Sequence, residues 1–134
     1  MRSEPIFHTQ TILVVEHDQT IRWQVCRLLS PEGYRVVQAC NAEEAVRTAA
    51  RHDTEIGLLL TETLLPRLFG WELAELLKLD YPGLKVVYLS RSVDAEIRAR
   101  ARPSMVVVLE HPLWRDRLQQ AVHGVLDSYK VNVS

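Results

Sequence analysis

Apolar runs in this chain repeatedly end in residues that can do chemistry. Glu16-His17-Asp18 follows Thr11–Val15, Glu62 follows Ile56–Thr61, Ser90 follows Lys85–Leu89, and Glu110-His111 follows Met105–Leu109. Carboxylates, imidazoles and a hydroxyl are groups that bind cations and exchange protons. Imidazole with carboxylate suits zinc, nickel or copper, so Glu16, His17, Glu62 and His111 form a candidate transition-metal set, without the close HxH or HxxH spacing that strengthens such a reading. In the simpler alternative both histidines are partly solvated and hydrogen-bonded to neighbouring acids. A further expectation concerns His111: flanked by Glu110 and facing Glu62, it favours its charged form and adds a cation at lower pH.

For these groups to meet, the runs must be neighbouring strands. Short continuous apolar runs closed by polar residues, with Pro or Gly following, mark buried parallel strands that deliver side chains to the sheet's carboxyl edge. Thr11–Val15, Tyr34–Ala39, Ile56–Thr61, Lys85–Leu89 and Met105–Leu109 fit that description. Between them lie helical patterns: Gln19–Ser30 with Ile21, Val25, Leu28 and Leu29, and a segment opened by Asn41 and Glu44 as a capping box and running to about His52. Trp71–Leu79, Val93–Arg102 and a last helix with Leu118, Val122, Val125 and Leu126 on its buried face complete the set. Five strands alternating with five helices require right-handed crossovers and an α/β doubly wound parallel sheet covered on both faces. Such a sheet brings the ends of adjacent strands into one crevice.

The 134 residues, 47% hydrophobic with a net charge of −1, fit one domain with its own core. A domain over residues 10–127 with tails at 1–9 and 128–134 is expected. No block of Lys or Arg offers a footprint for nucleic acid or an anionic membrane. Cys26 and Cys40 are isolated, so neither zinc nor a disulfide framework is suggested by them. No apolar stretch reaches signal-peptide or membrane-span length, and the expected compartment is the cytoplasm. No Gly-rich phosphate loop follows the first strand, which disfavours nucleotide or flavin binding.

The order of these features resembles the response-regulator receiver domain, the flavodoxin-like module of two-component signalling, over about residues 10 to 127. The anchors are Ile12–Val15, Pro66 and Gly70 after Glu62, and Pro112. The resemblance implies an acidic pair for Mg²⁺ at Glu16 and His17, a phosphoacceptor at Glu62, a hydroxyl at Ser90 and a lysine at His111. Three of those positions carry other residue types. Glu62 is one methylene longer than the family's aspartate, which moves the nucleophilic oxygen by roughly 1 to 1.5 Å, and in-line phosphoryl transfer is sensitive to such an error. His17 offers nitrogen where Mg²⁺ wants oxygen. His111 lacks the long stem and fixed charge of lysine. The expectation is a divergent, non-enzymatic pseudo-receiver that binds little or no Mg²⁺ and needs no other cofactor. It acts as a protein-interaction module for a sensor kinase, another receiver or an output protein. A phosphoacceptor regulator using Glu62 or another residue is the alternative.

Glu62 has two further readings: a partial mimic of the phosphorylated state reaching toward Ser90 and His111, or a carboxylate whose shape is set by packing. Val108 stands where many receivers have an aromatic lever. Trp23, Trp71 and Trp114 are expected either to cover helix–sheet edges or to anchor a partner. By resemblance, Trp114 with Arg98, Arg100 and Arg102 is the candidate partner or homodimer surface.

Overall fold

Alternation of side chains along each strand splits the apolar residues into two cores, one on either face of a central sheet. The computed structural model describes residues 10–51, 55–91, 100 and 105–131, with side chains through residue 126. The chain runs β1 (Thr11–Val15), α1 (Gln19–Leu29), a 3-10 turn (Ser30–Glu32), β2 (Arg35–Ala39), α2 (Ala42–Arg51) and β3 (Ile56–Glu62). It continues through β4 (Leu64–Leu65), β5 (Leu68–Phe69), α3 (Gly70–Lys78), β6 (Lys85–Ser90), β7 (Met105–Val108) and α4 (Trp114–Val131). The expected helix over Val93–Arg102 lies outside the described residues, apart from Arg100. The last helix continues into the stretch expected to be a tail.

The main sheet has five parallel strands in the order β2-β1-β3-β6-β7. This is the expected flavodoxin-like arrangement, with β3 at its centre between β1 and β6. On one face Ile12, Val14, Leu58, Leu60 and Val87 pack against Val25 and Leu29 of α1 and Leu118 and Val122 of α4. On the other, Leu13, Val15, Leu59 and Val86 meet Ala45 and Ala49 of α2 and Leu73 and Leu77 of α3.

Local signals start the helices where the site needs them. Asp18 caps α1, its Oδ1 accepting from Thr20 N at 2.9 Å and Ile21 N at 3.1 Å. For α2, Asn41 Oδ1 accepts from Glu44 N at 2.7 Å while Glu44 Oε1 accepts from Cys40 N at 2.6 Å, a reciprocal cap close to the expected one. Gly70 opens α3 directly against the end of β3: a Cβ there would collide with the Glu62 carbonyl oxygen and approach Thr61 Cγ2 at 3.1 Å. Only glycine lets the helix sit that close.

The loop after Glu62 is a small antiparallel hairpin, with Leu65 opposite Leu68 and Pro66-Arg67 at its tip. Arg67 has a φ of 72° and is the only non-glycine residue of positive φ among those described. Turn positions that require a φ in this range ordinarily go to Gly or Asn.

Candidate functional site

The crevice is built where β1 and β3 end side by side, Val15 pairing with Thr61. The next residues, Glu16 and Glu62, carry buried carboxyls, 0% and 4% exposed. Two carboxylates so placed repel one another in a poorly solvated setting unless cations or protons intervene. His17 intervenes. Its backbone N–H donates to Glu62 Oε2 at 2.7 Å, and its ring Nδ1 lies 2.6 Å from the same oxygen. One proton held between Nδ1 and Oε2 makes that second contact a hydrogen bond. The ring is also 3.5 Å from Glu16 Oε2.

Glu16 Oε2 accepts from Asp18 N at 3.0 Å and from an Arg91 guanidinium nitrogen at 3.3 Å. The same guanidinium reaches Asp18 Oδ2 at 3.6 Å. Glu16 Oε1 is buried with no hydrogen-bond partner among the described residues. Burial pushes the Glu16 carboxyl up to about 7, and the adjacent Glu62 adds to the rise; Asp18 N–H and Arg91 pull against it. Asp18 shifts the other way, its carboxyl held below the usual range by the Ile21 and Thr20 N–H groups it caps.

Ligand atoms from Glu16, His17 and Glu62 lie within 4.8 Å of one another. The candidate metal set thus has three of its expected members together. His111, the fourth, is a correction. Its ring Nδ1 accepts from Leu113 N at 3.1 Å, and its backbone joins Val108 O at 3.1 Å and Trp114 N at 3.0 Å. That ring caps the turn into α4 and is not part of the cluster that Glu16, His17 and Glu62 form among the described residues. Ser90 is 3% exposed and directly follows Leu89, the register partner of Glu62.

The donor set also bears on Mg²⁺, the cation implied by the receiver resemblance. Mg²⁺ takes near-octahedral oxygen ligands. Two carboxylates with an imidazole bonded to one and a guanidinium against the other do not match that shell.

Trp114 is a second correction. It is 7% exposed and belongs to the core beside Leu118 and Val107, with the Arg115 guanidinium 4.8 Å from its ring centroid. The helical spacing carried this signal, since Trp114 stands four residues before Leu118 and so shares its face. Trp23 is the outward one, 55% exposed with Arg27 stacked over its ring at 4.6 Å. Of the candidate surface arginines, Arg100 is exposed, while Arg98 and Arg102 lie outside the described residues. Arg91 was the residue sequence reasoning missed. A cation immediately after the strand-end Ser90 was the available clue.

Residues 12–123 match the model of the response regulator receiver domain, and the chain belongs to that family. It is thus a receiver domain, the module of two-component signalling. It is 26% identical over 118 residues to the sensor kinase CckA of Brucella abortus, a match that covers 87% of this chain and 12% of the kinase. It is 30% identical over 87 residues to a cyclic di-GMP phosphodiesterase of Thermotoga maritima, covering 65% of this chain and 23% of the relative. The chain therefore spans less than a quarter of either curated relative. Among solved structures, the signal receiver domain of an HD domain-containing protein from Pseudomonas fluorescens Pf-5 superposes with a TM-score of 0.77 at 22% identity, covering 90% of this chain and 97% of that one. No described helix is long and apolar enough to cross a membrane.

Proposed function

We propose that this receiver works as a protein-interaction module whose acceptor crevice is closed internally instead of being switched by Mg²⁺-dependent phosphorylation. The observation that carries this reading is the double engagement of Glu62 Oε2 by the backbone N–H and ring of His17, at 2.7 and 2.6 Å. With the Arg91 guanidinium on Glu16, protein groups take the place of the cation that would neutralise the two carboxylates. A phosphodonor then meets a nucleophile whose oxygen is already bonded, one methylene out of line and without a metal to offset its charge. The domain holds one shape for its partner, a sensor kinase, another receiver or an output protein. It performs no chemistry of its own.

The test is intact-mass measurement after incubation with acetyl phosphate and Mg²⁺. The native chain stays unmodified, whereas the double variant His17→Asp, Glu62→Asp, which restores the family's oxygen ligands and acceptor, gains a Mg²⁺-dependent adduct. A stable adduct on native Glu62 overturns the reading in favour of a phosphoacceptor.

A further inference from the structure

Beside the crevice lies a second concavity, a cavity of about 770 Å³ between α2, the β4–β5 hairpin and α3. Its volume falls in the range of small-molecule sites. Val46, Pro66, Leu68 and Leu76 contribute apolar wall, and Val46 and Leu76 are 41% and 49% exposed, so apolar surface here stays open to solvent. Arg47 reaches the cavity from α2 and Arg67 from the hairpin, with His17 also at its lining and Glu43 the one acid. Both side chains are exposed; among the described residues neither forms an ion pair within 4 Å, although the charge of Arg47 acts on the neighbouring Glu44.

Arg67 is the informative residue. It occupies the φ of 72° that its turn would ordinarily give to Gly or Asn. Backbone strain accepted at a cavity wall, for an exposed side chain with no hydrogen bond or ion pair among the described residues, points to a ligand role. Two arginines from separate elements lining a cavity with an apolar wall suit an anion that carries an apolar body, since Arg pairs planar oxyanions in bidentate fashion. We propose that the α2–hairpin cavity binds a small amphipathic anion, a carboxylate or sulfonate on an aromatic or aliphatic frame, with Arg47 and Arg67 holding the charge. The proposal is independent of whether Glu62 accepts phosphate. It adds an input to the domain, because a ligand at this lining touches the His17 that bridges to Glu62.

Anilinonaphthalene sulfonate is a suitable probe, and N-phenylnaphthylamine supplies a similar apolar body without the charge. Titration of the full chain by fluorescence is expected to show saturable binding of the sulfonate, at least about tenfold tighter than the uncharged amine. Arg67→Gly relieves the backbone strain, so its melting temperature stays level or rises while sulfonate affinity falls about tenfold or more. Arg67→Lys retains part of the affinity, and Arg47→Gln weakens it comparably to Arg67→Gly. Binding of the sulfonate also moves the His17 ring signals in NMR spectra. Equal affinity for the two probes, unchanged affinity in both Arg67→Gly and Arg47→Gln, or no saturable binding overturns the proposal.

Discussion

The two halves of the crevice are held by different forces. Where β1 and β3 end, Glu16, His17 and Glu62 are locked together by short polar contacts, with Arg91 bracing Glu16 from the end of β6. Where β7 ends, His111 bonds, among the described residues, within its own turn, and the region is secured by Trp114, Leu118 and Val107 in the apolar core. The same residue type, histidine, is thus a bridge between strands on one side and a local cap on the other. The contrast teaches that a residue's family position does not set its role. His17 follows a buried carboxylate and faces another across adjacent strands, whereas His111 has a backbone N–H two residues on that claims its ring first.

The largest expected effect tests the apolar half. Trp114→Ala should lower unfolding free energy by about 3 to 5 kcal/mol, as large aromatic truncations in a core do, while the exposed Trp23→Ala changes it by less than about 1 kcal/mol. Urea denaturation of both variants measures the difference, and equal small effects would return Trp114 to the surface. Next, His17→Ala leaves Glu62 without its two-point partner's ring and should cost about 1 to 3 kcal/mol, the penalty for an unpaired buried polar group. His111→Ala removes one bond to a turn and should cost about 1 kcal/mol or less. If the two histidine variants are equally destabilised, the polar bridge and the local cap are not different.

pH distinguishes the halves further. The Glu16 carboxyl is pushed up to about 7 in the folded chain from 4.5, so the folded state binds its proton more tightly than the unfolded state. That contribution to stability is full below about 4.5 and is lost as pH rises through about 7. Partial solvation of the crevice limits it to the order of about 1 to 2 kcal/mol. Thermal melts across that window should show the loss in the native chain, and Glu16→Gln should flatten it. The smallest effect is expected from Arg91→Gln. Its guanidinium is half exposed and its ion pairs are 3.3 and 3.6 Å, so less than about 1 kcal/mol is at stake, readable as a small further rise in the pH at which Glu16 titrates.

Much of the fold was legible in the sequence. Runs such as Thr11–Val15 and Ile56–Thr61 are too short for helices and apolar throughout, so only central parallel strands satisfy them, and Asn41 with Glu44 announced the start of α2. Those signals are local: they depend on periodicity and on caps within a few residues. The same logic placed Glu16, His17 and Glu62 together, since adjacent strands in a doubly wound sheet end together. The hairpin after Glu62 and the strained Arg67 were not legible. Pro66 and Gly70 mark a turn, but its φ values are settled by how α3 docks on β3, where Gly70 lies against the Glu62 carbonyl.

The sequence by itself determined which side chains reach the sheet's carboxyl edge, because strand order and polarity are written in the chain. Only the tertiary structure decided which of them bond. A side chain's direction depends on rotamers and loop closure that bring distant residues into hydrogen-bond range, as His17 to Glu62, or leave a nearer partner in the way, as Leu113 for His111. Hydrogen bonds act over about 3 Å, a precision that periodicity along a chain does not carry.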